Sequence, residues 1–117
     1  MNNKEKGDIG ENIAKNYLIK NGADILALKY KIKSGEIDII ARLDNELVFV
    51  EVKSRSNLKY GYPCEAVNSR KIKKIVDTSK YYIHKNNLYN TPIRFDVIEI
   101  YLKENRINHI VNAFYEE

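Results

Sequence analysis

Apolar residues recur along this chain with two periods, one helical and one alternating, and the switches between them outline seven elements. From about Asp8 to Asn21, Ile9, Ile13, Ala14, Tyr17 and Leu18 fall at helical spacing, and Gly22 stands where a helix C-terminal cap belongs. Glu11 lies at the border of that stripe, in line with Leu18, so it looks across the edge of the core. Ile25 to Lys33 alternates as a strand, with Leu26, Leu28, Tyr30 and Ile32 on one face and Lys29, Lys31 and Lys33 on the other. Ser34-Gly35 makes a turn. Glu36 to Leu43 and Leu47 to Arg55 form a hairpin around Asp44-Asn45, a dipeptide suited to a tight turn. A loop over Asn57 to Tyr62 and Pro63 leads to a second helix from about Glu65 to Lys85, striped by Val67, Ile72, Ile75, Val76, Ser79, Tyr82 and Ile83. After the loop Asn86 to Pro92, Arg94 to Lys103 and Ile107 to Phe114 close the chain as a hairpin around Glu104-Asn105. The order αβββαββ predicts a mixed sheet with helices packed on it.

One strand breaks the alternating rule. Five of the six residues from Leu47 to Val52 are apolar, the pattern of a central strand covered on both faces. Glu51 sits inside that run, where an unpartnered carboxylate is costly to desolvate. A two-residue turn at Asp44-Asn45 places Asp38 opposite Glu51 and Glu36 opposite Lys53. Directly opposed side chains have Cβ atoms about 4.5–5.5 Å apart. Two acids so close repel unless something positive stands between them, and a divalent ion held by oxygen ligands is a natural solution. Lys53, two residues after Glu51, projects from the same face. The plainer alternative is a cross-strand ion pair. The apolar embedding, the two opposed acids and the basic helix downstream favour the functional reading.

Charge sharpens this picture. The net charge of +4 is mild, but Lys53 to Lys85 holds nine Lys or Arg against two acids, while the rest of the chain is net acidic. That asymmetry suggests a phosphate-facing segment, including Arg70, Lys71, Lys73 and Lys74, beside a cluster of carboxylates. Lysines outnumber arginines fifteen to five, which favours electrostatic attraction over bidentate base reading. At 117 residues, one domain spanning 1–117 is expected. The single cysteine, Cys64, allows no intrachain disulfide and reads as an inert thiol. The first fifteen residues lack the apolar stretch of a signal peptide, and no run approaches the roughly 18 apolar residues of a membrane helix, so a cytoplasmic protein is expected.

These residues resemble a family. Asp38, then Glu51-Val52-Lys53, is similar to the PD-(D/E)XK signature of restriction-endonuclease-like nucleases. The whole chain resembles the YraN family of small endonuclease-like proteins, and more distantly the archaeal Holliday-junction resolvases. The matching blocks are Gly10-Glu11 with Ala14 and Tyr17-Leu18, Gly35 to Ala41, Val48 to Arg55, Gly61 to Val67, Lys71, and Arg94 to Val97. Ile37 departs from the signature, which has proline before the first aspartate. The resemblance implies a restriction-endonuclease-like fold. It implies that Asp38 and Glu51 hold Mg²⁺ or Mn²⁺, with the Val52 carbonyl as a backbone ligand and Glu11 completing the acidic set. Lys53 would orient the attacking water or stabilise charge on the scissile phosphate. Lys31, Arg55, Arg70, Lys71 and Lys74 would face DNA, and Glu36 is a secondary candidate.

Other residues carry less. His84 and His109 have no ligand spacing and read as structural or exposed. Asp96, embedded in Phe95-Asp96-Val97-Ile98, is expected to pair with Arg94, Arg55 or a helix terminus. Most of the nine tyrosines are expected in the core, and no Gly-rich phosphate loop is present. The expected function is a Mg²⁺-dependent nuclease hydrolysing phosphodiester bonds in DNA, with structured or branched DNA one candidate substrate that the sequence does not single out, and with no membrane partner. A homodimer is compatible with it, since enzymes acting on duplexes are commonly symmetric dimers. The alternative is a nucleic-acid-binding module that keeps the nuclease fold without cutting. A structural adaptor with an ordinary ion pair ranks third.

Overall fold

The computed structural model describes residues 2–55 and 68–115. Its elements run α1 (Asn3–Lys20), β1 (Asp24–Ile32), β2 (Gly35–Leu43), β3 (Glu46–Arg55), α2 (Ser69–Lys85), β4 (Ile93–Tyr101) and β5 (Arg106–Phe114), the order expected. The sheet follows chain order, β1 to β5. Only the β3–β4 contact is parallel, with α2 as the crossover between them.

Alternation along β3 divides the core. Val48 and Val50 join Ala14 and Leu18 of α1, while Leu47 and Phe49 join Ile75 and Val76 of α2. The two helices therefore cover opposite faces, and β3 runs through the middle with both faces covered, as its apolar run predicts. Gly10 brings α1 close to β3, because a Cβ there would overlap Ser54 Oγ and lie 3.0 Å from Ser54 Cβ.

Several boundaries moved. Helix α1 starts five residues before the expected Asp8. Asn2 caps it by accepting the Glu5 N–H at 2.8 Å and donating to the Glu5 carboxylate at 3.0 Å. Its first turn is polar and exposed, so apolar spacing could not reveal it. At the other end Gly22 has φ +93°, and Ala23 N–H bonds Leu18 C=O, which closes the helix as expected. Helix α2 begins at Ser69 rather than Glu65, with Asn68 accepting the Lys71 N–H at 2.9 Å. The expected loop over Asn57 to Tyr62, Pro63, Cys64, and Glu65 to Val67 at the helix start lie outside the described residues. Strand β4 ends at Tyr101, and Lys103 belongs to the turn that follows.

The expected apolar face of β1 is corrected. The register shifts between Ile25 and Ala27, so one extra residue, Leu26, sits on β1. Leu26 and Leu28 are exposed, while Ile25, Ala27 and Tyr30 turn to the core. A bulge reverses the parity on which a strand's faces depend. The turn at Asp44-Asn45, with φ +53° and +65°, is the tight hairpin turn foreseen.

Candidate active site

The β2–β3 hairpin has the expected register. Its pairs run from Leu43↔Glu46 to Ile39↔Val50, so Asp38 and Glu51 follow at the next level. At that level a side chain replaces the backbone ladder, and Asp38 Oδ2 accepts the Val52 N–H at 2.8 Å. The strand turns over there as well. Ile37 packs with the α2 core although Ile39 packs with the α1 core, a change that regular alternation forbids. The expected pairing of Glu36 with Lys53 does not form. Glu36 pairs with Lys31 on β1, and Lys53 pairs with Glu99 on β4. The strands have separated by then, which ends the register that predicted the pair.

Asp38 and Glu51 lie on one side of the sheet, in a groove of about 380 Å³ beneath α2. Lys31, Lys33, Lys71 and Lys74 line it with Glu36. The β1–β2 turn anchors α2 over this groove. Ser34 Oγ lies 3.0 Å from Thr78 Oγ1, and a Cβ on Gly35 would stand 3.2 Å from Lys74 Cβ.

The electrostatics of the pair are unusual. Glu51 is only 6% exposed, and two ammonium groups converge on its Oε1, Lys71 at 3.0 Å and Lys53 at 3.9 Å. Burial, then the adjoining Glu51 carboxylate, pushes the Asp38 carboxyl up to about 8, against the opposing pull of the Val52 N–H. Burial also lowers the Lys53 ammonium, and a hydrogen bond and repulsion from Lys71 lower it further. Burial acts against the charge on Lys71 too, but its hydrogen bond to Lys53 and the Glu51 carboxylate carry it above its usual value. The centre thus crowds two acids against two lysines, with both lysines directed at Glu51 Oε1.

The other expected residues separate into those near the groove and those turned away. Glu11 stays close enough for its charge to act on Asp38, but its carboxylate bonds Lys29 at 3.0 Å, on the α1 side of β1. Among the described residues, no three His, Cys, Asp or Glu side chains are grouped to hold a metal. The Val52 amide is committed to Asp38, and its side chain packs with the α1 core. Arg70 lines a separate hollow along α2 with Ser69, Lys73 and Asp77. Arg55 is half-buried at the end of β3, beside Tyr101.

Sequence reasoning placed Lys71 among DNA contacts and missed its bond to Glu51. It also passed over Glu99, which is fully buried, level with Lys53, and held by Asn108 Nδ2 at 2.7 Å and Tyr101 Oη at 3.1 Å. The signal was present, because Glu99 is flanked by Ile98 and Ile100 just as Glu51 is flanked by valines. Asp96 takes Arg94 as expected, and also His109 Nε2 at 2.7 Å, while Tyr17 Oη lies 2.9 Å from His109 Nδ1. This network sits on the α1 face, away from the groove.

A mixed five-stranded sheet with a crowded carboxylate pair under its crossover helix defines the class of protein: a small α/β domain built around a buried acidic centre. The chain belongs to the uncharacterised protein family UPF0102, whose model matches residues 10–100; this is the family of the YraN resemblance. It is 67% identical to a UPF0102 protein of Clostridioides difficile (strain 630), over 97% of this chain and 100% of that one. It is 45% identical to a UPF0102 protein of Caldanaerobacter subterraneus subsp. tengcongensis, over 97% and 98%. Among solved structures it is similar to Pyrococcus furiosus SfsA in complex with Ca²⁺, at 16% identity and a TM-score of 0.35, over 91% of this chain and 62% of that one. That likeness is too slight to carry an argument. No helix among the described residues is long and apolar enough to cross a membrane.

Proposed function

We propose that this protein is a metal-dependent nuclease of the restriction-endonuclease-like superfamily, hydrolysing phosphodiester bonds in DNA. One observation carries the reading: Asp38 and Glu51 meet on one side of the sheet, inside a groove lined by four lysines, where burial and then the Glu51 charge push the Asp38 carboxyl up to about 8.

The residues suit a hard divalent cation. Mg²⁺ commonly takes one or two carboxylates and fills its remaining positions with water and phosphate oxygens. Asp38 and Glu51 are such a pair; burial and then the Glu51 charge favour a proton on Asp38, and a dipositive ion would offset both. Bound there, Mg²⁺ or Mn²⁺ would supply Lewis acidity toward the phosphate and toward a water molecule. Lys53, with its stem fixed on the central strand, faces the reacting side and stabilises charge on the phosphate. The Val52 amide keeps Asp38 aimed into the groove, and Lys31, Lys33 and Lys74 draw the DNA backbone to it. The test is cleavage of linear, single-stranded and four-way DNA with Mg²⁺ or Mn²⁺. Activity is expected in the wild type and lost in Asp38→Ala and Glu51→Ala; cleavage that survives both changes overturns the mechanism.

A second reading, a DNA-binding module that does not cut, draws support from Glu11, which is engaged with Lys29 rather than with the pair. It predicts salt-sensitive DNA binding that is indifferent to metal. Binding that requires Mg²⁺ and is lost in Glu51→Gln counts against it.

A further inference from the structure

Lys71 occupies an unusual position for a lysine on an otherwise exposed helix turn. Its ammonium lies 3.0 Å from Glu51 Oε1, while Lys53 stands 3.9 Å from the same oxygen. Lys71 is also the looser of the two, its side chain 39% exposed against 24% for Lys53. Its stem leaves α2 at the lip of the groove that Lys31, Lys33 and Lys74 line.

We propose that Lys71 is a built-in counter-ion of the carboxylate pair, which a divalent cation must displace, and which then turns outward to meet the phosphate backbone. This rests on the metal-dependent reading above. A buried carboxylate left without a cation is strongly destabilising, so without metal Glu51 needs the ammonium. Direct coordination brings a carboxylate oxygen to about 2.0–2.1 Å of Mg²⁺. An ammonium on that same oxygen then faces a dipositive charge at short range and is expelled. Lys53 stands further off and is the more buried of the two; Lys71 lines the open groove, into which its flexible four-carbon stem can swing. Metal occupancy and the availability of a phosphate-facing cation are thereby coupled through one oxygen atom.

The experiment measures Mn²⁺ binding, by the loss of the free-ion electron paramagnetic resonance signal, and thermal melting with and without Mn²⁺. Lys71→Met, Lys71→Gln and Lys74→Met are compared with the wild type. Lys74 lines the same groove, so Lys74→Met controls for the general loss of one positive charge. Removing the competitor is expected to tighten Mn²⁺ binding about tenfold in Lys71→Met, the equivalent of one part-buried ion pair, and clearly less in Lys74→Met. Without metal, Lys71→Met melts below the wild type, and saturating Mn²⁺ closes the gap. Lys71→Gln keeps a hydrogen-bond donor for Glu51 and supplies a folded neutral variant should the methionine variant fail to fold. Wild-type binding with no gain in either Lys71 variant, or an equal gain in Lys74→Met, overturns the displacement while leaving the metal centre intact. No Mn²⁺ binding by wild type or variants overturns the metal centre and the displacement together.

Discussion

Asp38 Oδ2 accepts the Val52 N–H at 2.8 Å, one step beyond the last backbone pair between β2 and β3. The side chain thus takes over a ladder bond where the two strands separate, and the gap between them is where the groove opens. A carboxylate held in that place by the backbone is aimed before any ligand arrives.

The first prediction concerns pH. Asp38 has an ordinary value of 3.8 and about 8 in the folded protein. Between those values the native state binds more protons than the unfolded state, so stability falls as pH rises. Asp38→Asn cannot ionise and can still accept the Val52 N–H. Its melting temperature relative to wild type is therefore expected to climb from about pH 4 to about pH 8 and then level off. A difference that stays flat across this range argues against the raised value.

Metal binding must displace the same proton. Apparent Mg²⁺ affinity of the wild type is expected to rise with pH up to about 8, with protons released on binding. Titration calorimetry in buffers of different ionisation heat reads that release. Mg²⁺ should raise the melting temperature of the wild type but not of Asp38→Ala or Glu51→Ala, by mass action on the native state.

Lys53 and the groove lysines should fail differently. Lys53→Met is expected to lower kcat by about 10²–10³-fold with KM for DNA nearly unchanged, as for other groups that stabilise developing charge. Lys31→Ala and Lys74→Ala should instead weaken DNA binding across sequences, each reducing the salt slope by about one. Cleavage kinetics alongside binding at several salt concentrations separate the two patterns.

Asp96 should govern stability without touching the chemistry. It is fully buried and carries Arg94, His109 and the Asn112 N–H together. Asp96→Ala removes the carboxylate from all three at once, leaving Arg94 only Glu46 among the described residues, and is expected to cost about 3–5 kcal/mol. Denaturant unfolding measures the loss, and metal affinity per folded molecule should not change.

Gly10 tests the contact between α1 and β3. Gly10→Ala drives a methyl group into Ser54 and is expected to cost about 1–3 kcal/mol. Gly10→Ala combined with Ser54→Gly should recover part of that loss in a double-mutant cycle. Additive effects refute the steric account.

Local chemistry was enough to read the elements and the hairpin. Apolar periodicity gives αβββαββ, because buried faces repeat at 3.6 or 2 residues wherever the backbone is regular. The Asp44-Asn45 turn sets the register that puts Asp38 beside Glu51, since a two-residue turn leaves the strands one pairing. Glu51 announced itself by its apolar flanks. The tertiary structure decided what depends on irregular backbone and on distant segments. The bulge that turns Leu26 and Leu28 outward and the reversal at Asp38 are one-residue events that periodicity averages away. The Lys71–Glu51 contact and the Lys29–Glu11 contact join side chains far apart in the chain, and only the packing of α2 under one face and α1 over the other determines which charge meets which.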